Sequence, residues 1–445
     1  VKQATGDRRK ATRIAGLAWL AATTGLLLPL AGWAQATALP VTVGEEVALA
    51  ADGPGKACRG TPAVAFGSGR YLCAWREGWE GKNGGARIRV ACVSPEGKML
   101  DAAPFEAAPN PDRDAPQERP RVAYCPSTGS GPSGGVYLVV WHDLRNGRDY
   151  DILGARVSAA GKLLDAEPIR IAAGPHNQAL PDVAADKDGF LVAWQGYDAN
   201  NRVFKGCAAR VEVDGKVGET VDIGLAPNLR LAWDGEHFLV GCANAGFWGV
   251  GDVRRLDAKG RPRAKEKPFH ATNNVNLYSL TAAPGKGWLF VTHRNTPNAW
   301  GWGGPGAMRC YFLLSEGKLD TSVGKEAEYP GSALEPNWID YTTKDREIWP
   351  YGLSAGAWDG KQLVVVWQRY HCRGEKKSML ANGDIMLMRL DGAKRQSDTP
   401  VAVAATDAEE LAPALASDGA GNLLCVYEKE VGPKTVICAR SLSSK

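Results

Sequence analysis

The sequence predicts an all-β fold: a β-propeller of seven four-stranded blades, with the N-terminal strand completing the last blade. Three observations carry this expectation. A short apolar word recurs seven times, as YLCAW at 71, YLVVW at 137, FLVAW at 190, FLVGC at 238, WLFVT at 288, LVVVW at 363 and LLCVY at 423. Each copy is flanked by the same kinds of segment. The two ends of the chain also complement one another, because the final unit lacks the segment with which the region after residue 36 begins.

Each recurring word is short, rich in β-branched or aromatic residues and bounded by Gly or polar residues, which is the pattern of a buried strand. A shorter strand precedes each one, as AVAF, RVAY, DVAAD, LRLAW, LYSLTA, LSAGAW and ALASD. Tight turns such as DKDG, WDGEH, WDGKQ and SDGAGN join the two. A third strand follows, clearest as DILGARV, CAARVEV, DIMLMRL and VICARSL. Gly turns (SAAGK, EVDGK, DAKGR, LSEGK) then lead to a fourth, as in PIRIAA and PVAVAA. Repeats of 50 to 75 residues begin near 63, 121, 182, 228, 277, 351 and 414. A blade alone leaves both of its faces exposed, whereas a ring of blades buries them. The last unit stops after VICARSLSSK, and EEVALAADG at 45 matches the missing fourth strand, so the ring is expected to close there. Residues 311–350 are expected to hold an insertion instead of an eighth blade. Two β-sandwich domains would instead predict a linker in mid-chain, and none is visible.

Over residues 37–445, taken as one domain, this pattern resembles the secreted bacterial repeat propellers and, more distantly, the sialidase-like propellers. The sialidase Asp-box, Ser-x-Asp-x-Gly-x-x-Trp, does not occur in that form. In DKDGFLVAW the tryptophan falls too far beyond the glycine, and the turn joins strands one and two. The resemblance implies a propeller fold, with a carbohydrate-active enzyme (a glycoside hydrolase or sialidase-like protein) as the alternative function.

Residues 1–36 read as a signal peptide, with DRRKATR as basic n-region, IAGLAWLAATTGLLLPLAGWA as apolar h-region and AQA as cleavage site. Arg8 and Arg9 resemble a twin-arginine signal, but KAT stands where bulky apolar residues would follow, which favours general secretion. A secreted, periplasmic or cell-envelope location is therefore expected, with no membrane span after cleavage. The chain has 53 basic and 49 acidic residues; the leader carries five basic residues against one acidic, leaving 48 of each. Such balance gives no electrostatic basis for nucleic-acid binding.

None of the ten cysteines lies at Cys-x-x-Cys spacing, so neither a zinc ribbon nor a thioredoxin-like site is supported. Most sit in apolar words, where a buried free thiol acts as a small hydrophobe. Cross-strand disulfides Cys73–Cys92 and Cys425–Cys438 are the alternative. No metal site and no cofactor is expected: DKDG is not repeated with its second Asp in other blades, so a hairpin turn is favoured over calcium.

In such blades the links from strand two to three and from strand four to the next blade share one face. Those loops are the longer ones, and they are rich in Trp, Tyr, Arg, Asp and Asn, so that face is the functional candidate. Their densest cluster combines His293, Arg294, Trp300, Trp302, Trp338, Asp340, Tyr341, Arg369, Tyr370 and His371. Flat aromatics with hydrogen-bonding neighbours suit a glycan or a peptide or protein ligand; the alternative role is packing the loops onto the ring. Trp75, Trp141, Trp194 and Trp367, at a fixed place in the repeat, are expected to pack between blades. Arg156, Arg210, Arg389 and Arg440 are expected to pair with carboxylates such as Asp143 or Asp151. Glycoside cleavage would need two converging carboxyl groups, for which Asp143, Asp198, Asp340, Glu347 and Glu428 are on the right face. No catalytic set is assigned. A ligand-binding or scaffold propeller accounts for the sequence with fewest additions, ahead of the enzyme and of a structural envelope component.

Overall fold

In a computed structural model of the chain, every apolar word becomes the second strand of a sheet. The residues described are 41–50, 62–78, 85–109, 114–126, 134–224, 228–243, 250–263, 269–273, 275–294, 296–297, 303–304, 308–315, 332–333, 353–373, 380–392, 394–396, 400–432 and 434–443. No helix occurs among them. Blade 1 comprises Ala63–Gly67, Arg70–Gly78, Ala86–Val93 and Phe105–Glu106, hydrogen-bonded in that order. Blade 2 comprises Gln117–Cys125, Val136–Asp143, Asp151–Ser158 and Ile169–Ala172, and blade 3 Gln178–Ala185, Gly189–Asp198, Val203–Glu212 and Val221–Asp222. Blade 4 is Arg230–Trp233, Phe238–Ala243, Val250–Leu256 and Phe269–Asn273; blade 5 is Val275–Ala283, Gly287–Arg294, Met308–Leu314 and Ser332–Ala333. Blade 6 is Ser354–Trp358, Leu363–Arg373, Leu380–Asp391 and Val401–Ala404, with Lys394–Arg395 also on its third strand.

Blade 7 takes three strands from Glu409–Ser417, Asn422–Val431 and Lys434–Ser443, and its fourth from Thr42–Ala50. The register pairs Val47 with Ala439 and Ala48 with Cys438. First strands touch around the whole circle, that of blade 7 meeting that of blade 1. The region expected to be an insertion supplies part of blade 5: 311–314 end its third strand and 332–333 form its fourth. The rest of 311–350 lies outside the described residues.

The apolar words are continuous because both faces of each sheet are buried. In blade 2, Val136, Leu138 and Val140 enter the core shared with blade 3, while Tyr137, Val139 and Trp141 enter the core shared with blade 1. Seven such cores, one per junction, fill the ring. The tryptophans that end strand two sit in them: Trp75 between blades 7 and 1, Trp141 between 1 and 2, Trp194 between 2 and 3, Trp367 between 5 and 6. All four are at most 2 % exposed, so they serve packing. The eight described cysteines are free and buried. Cys73 cannot bridge Cys92 because adjacent register positions send the two thiols to opposite faces, one into the 7–1 core and the other into the 1–2 core.

The turns from strand one to two are built alike. Asp186, Asp234, Asp359 and Asp418 each accept two backbone N–H bonds from residues two to four positions on. These are side-chain-capped hairpin turns. Between strands three and four, Gly97, Gly161, Gly215 and Gly260 take positive φ of 80–92° and donate to the carbonyl three residues earlier. Strand-three arginines end at this same short-turn face, which corrects their expected partners. Arg210 grips Asp186 with two bonds of 2.7 Å, and Arg156 pairs with Asp165 at 2.6 Å. Asp143 and Asp151 lie at the other end of the blade, where Asp143 pairs with Arg145 and Asp151 accepts a bond from Asn146.

Ring closure is also held by charge. Glu46, on the N-terminal strand, accepts from the Tyr427 hydroxyl at 2.6 Å and from Lys429 Nζ at 2.9 Å, with Arg440 Nη2 3.6 Å away. Burial works against the Glu46 charge, but Tyr427, Lys429 and Arg440 outweigh it and hold its carboxyl below the usual range. A carboxyl lowered on folding adds stability above its unfolded pKa, and that stability is lost as pH falls through the folded value. Glu46→Gln is therefore expected to cost about 1–3 kcal/mol at pH 7 and progressively less below about pH 4, read from urea unfolding across pH. Trp141→Ala should cost about 3–5 kcal/mol in the same assay, because it empties a core shared by two blades. In denaturant without reductant, at least the eight described thiols should titrate.

Candidate functional site

The first strands enter the ring from the long-loop face, and those of blades 2, 3 and 7 bulge at a proline as they do so. Register shifts separate Glu118 from Arg121, Ala179 from Asp182 and Leu411 from Ala414. The residue preceding proline in each bulge (Arg119, Leu180, Ala412) takes φ of 57°, 54° and 50°. Left-handed backbone is unfavourable for such residues, so neighbouring groups must hold it. They come from the preceding blade, from the position just after the strand-two tryptophan. Leu180 N–H donates to His142 Nδ1 at 3.2 Å, and Ala412 N–H to Gln368 Oε1 at 3.2 Å. At the blade 1–2 junction Arg76 instead reaches Glu118 at 3.2 Å.

Below the bulges the first strands surround a central cavity of about 180 Å³. The space is large enough for several waters. All seven blades line it. In blades 2, 3 and 7 the residue after the bulge proline faces it: Arg121, Asp182 and Ala414. Arg230 of blade 4 adds a second guanidinium. Asp182 is the one carboxylate among the described lining residues, and both of its oxygens are engaged. Its Oδ1 accepts from Val183 N–H at 3.0 Å and lies 3.6 Å from Arg121 Nε, while its Oδ2 accepts from Leu231 N–H at 2.9 Å. Burial lowers Arg121 to about 10, with Arg230 and Arg119 pushing the same way and Asp182 opposing them. Burial lowers Arg230 too, against Asp182 and with Arg119. The lumen wall from blades 2 to 4 is thus cationic. Across from it, blades 5 to 7 and 1 present neutral residues, with Ser279, Ser354, Gly356 and Ala63 set among Leu280, Leu353 and Leu415. The two hydroxyls meet at 3.2 Å.

A second polar cluster lies at the rim. Glu118 accepts from the Tyr150 hydroxyl at 2.9 Å, and His142 Nε2 faces it at 3.5 Å. Because Leu180 N–H occupies Nδ1, the neutral imidazole carries its proton on Nε2, towards the carboxylate. His142 chiefly holds Glu118 at about 2, with burial opposing and Tyr150 and Arg76 assisting. Tyr150 is pushed up to about 12 by burial and by Glu118. His142 is 6 % exposed, so the cluster acts as a latch between blades.

Of the residues expected to form the site, Trp300, Trp302, Trp338, Asp340 and Tyr341 lie outside the described residues. His293 and Arg294 end the second strand of blade 5, and Arg369, Tyr370 and His371 lie near the end of that of blade 6. The topology thus brings these two groups to the same face on neighbouring blades. Arg369 pairs with Asp384 of the adjacent strand at 3.1 Å. Among the candidate acids, Asp143 is fully buried and receives bonds from Trp141, Gln117 and Arg145. Asp198 caps a hairpin tip through Asn200 and Asn201. Glu428 is 2 % exposed on strand two of blade 7, and Glu347 lies outside the described residues. The channel residues were absent from the expected site. The signal for them is the position heading the first-strand words, which reads Ala, Arg, Asp and Ala in PAVAF, PRVAY, PDVAA and PALAS.

No family model matches the sequence, and no curated protein matches it. Solved structures that resemble it include the β-propeller domain of the trilobed protease from Pyrococcus furiosus, at 9 % identity and TM-score 0.47, covering 88 % of this chain and 95 % of that one. The α-L-arabinofuranosidase of Fusarium graminearum matches at 12 % identity and TM-score 0.45, covering 86 % and 92 %. The Trypanosoma rangeli sialidase matches at 10 % identity and TM-score 0.43, covering 87 % of this chain and 55 % of that one. These are likenesses of fold, and they span glycosidase and protease proteins without singling out an activity.

Proposed function

We propose that the protein is an exported ligand-binding propeller, taking one polar unit of a glycan or peptide into the central channel from the long-loop face. The observation that carries this reading is the lumen itself, a cavity of about 180 Å³ in which charged side chains converge from three blades. Ligand sites are concave and place a few polar groups on an otherwise neutral wall, and this cavity has that composition. Its volume of about 180 Å³ suits a single unit or a chain end, with the remainder of a ligand lying across the loops above. The aromatic and basic residues of blades 5 and 6 belong to that outer zone in this reading. Binding is favoured over glycoside cleavage because cleavage needs two available carboxyl groups. Asp182, the sole acid among the described lining residues, is tied to backbone and to Arg121.

Filling the lumen tests the reading. Ala414 lines the channel and is only partly buried, so Ala414→Trp should occupy the space with the blade cores left intact. On a combined glycan and peptide array, the variant is expected to lose at least tenfold in affinity, about 1.4 kcal/mol, for whatever the unmodified protein captures. Equal capture by a folded Ala414→Trp protein would remove the channel from the binding site.

A further inference from the structure

We infer that the unit entering the channel bears a single carboxylate, held between Arg121 and Arg230; this rests on the channel being the binding site. Two guanidiniums face the lumen against one carboxylate, so the described lining carries one net positive charge. The exposed Arg119 stands close enough to raise the cost of charging both arginines. Asp182 offers little further neutralisation, because its oxygens are shared with Val183 and Leu231 N–H groups. A monoanion would balance the described lining, whereas a dianionic phosphate would exceed its charge in a confined space. The planar fork of arginine also matches a carboxylate through paired N–H bonds.

The opposite wall sets the rest of the ligand. Gly356 admits no side chain, since a Cβ there would meet Thr281 Oγ1 at 2.3 Å. With Ala355 and Ala63 beside it and Leu280, Leu353 and Leu415 nearby, the described part of this wall is uncharged. The ligand is thus anionic at one edge and neutral at the other, as in an acidic sugar ring or a peptide chain end. Those two sources share the carboxylate and are separated by the choice of probe.

Isothermal titration of the full chain at low ionic strength uses glucuronate, N-acetylglycine, glucose and inorganic phosphate. At least one of the two carboxylates should bind, and which one does so identifies the source. Glucose and phosphate should bind at least tenfold more weakly. Arg121→Gln and Arg230→Gln should each weaken the carboxylate by roughly 10- to 100-fold, the loss expected for a charge-assisted bond, with Arg121→Lys less affected. Asp182→Asn, which removes the opposing charge, should tighten it several-fold. That outcome decides the matter if the glutamine variants do not fold, because a purely structural ion cluster would give unchanged or weaker binding. Equal affinity for glucose and glucuronate, tighter binding of phosphate, or no heat with either carboxylate overturns the carboxylate assignment and leaves the polar-ligand reading to the array. Carboxylate binding that survives both glutamine substitutions also overturns it. Carboxylate binding unchanged by Ala414→Trp sinks both.

Discussion

Every blade has two apolar faces and can bury them only against neighbours, so only a complete ring leaves no blade with a bare face. This constraint explains the length and continuity of the second strands, whose successive side chains serve two different cores. It also explains the repeated tryptophans, each filling the junction between its own blade and the one before. The residue after each tryptophan spans the next junction, towards the following blade, as Arg76, His142 and Gln368 do. Packing and hydrogen bonding are therefore coupled along one dipeptide. A change to either member is felt by two blades at once.

The two faces of the ring have been put to different uses. On one, turns are short and repetitive, capped by aspartate and glycine and pinned by the strand-three arginines. Their carboxylates are committed to holding backbone. On the other, the bulges bend the first strands and aim the residue after proline into the lumen. The unfavourable left-handed residues are tolerated because the preceding blade satisfies their N–H groups in blades 3 and 7. In blades 2 and 3 backbone irregularity and lumen charge thus arise at the same place, two positions apart in the chain.

Architecture was legible in the sequence because it depends on apolar residues recurring at fixed places, and recurrence survives divergence of the loops. The pairing of EEVALAADG with the final unit could be read for the same reason. Partner choice was not legible. Arg156 and Arg210 lie on strands whose direction decides which carboxylates they can reach, and direction is a property of the assembled sheet. The channel escaped for a different reason. Arg121 and Asp182 each head a short apolar word, and one charged letter in such a word looks like an exposed strand end until the bulge turns it inward. Aromatic loops drew attention instead, since aromatic side chains announce binding whether or not they face a cavity.

Closure by Thr42–Ala50 has a consequence for how the molecule comes together. Gly44 and Arg440, bonded in the finished ring, are 396 positions apart in the chain, so their meeting is among the most entropically remote events of assembly. Until it happens, Lys434–Ser443 presents an unpaired edge able to accept a strand from any passing chain. That edge and the strand behind it, Asn422–Val431, carry groups that recognise one particular visitor, the glutamate at position 46, through a guanidinium, a phenol and an ammonium. A generic strand would leave those three unanswered, so the seam discriminates its own end from strangers by charge as well as by shape.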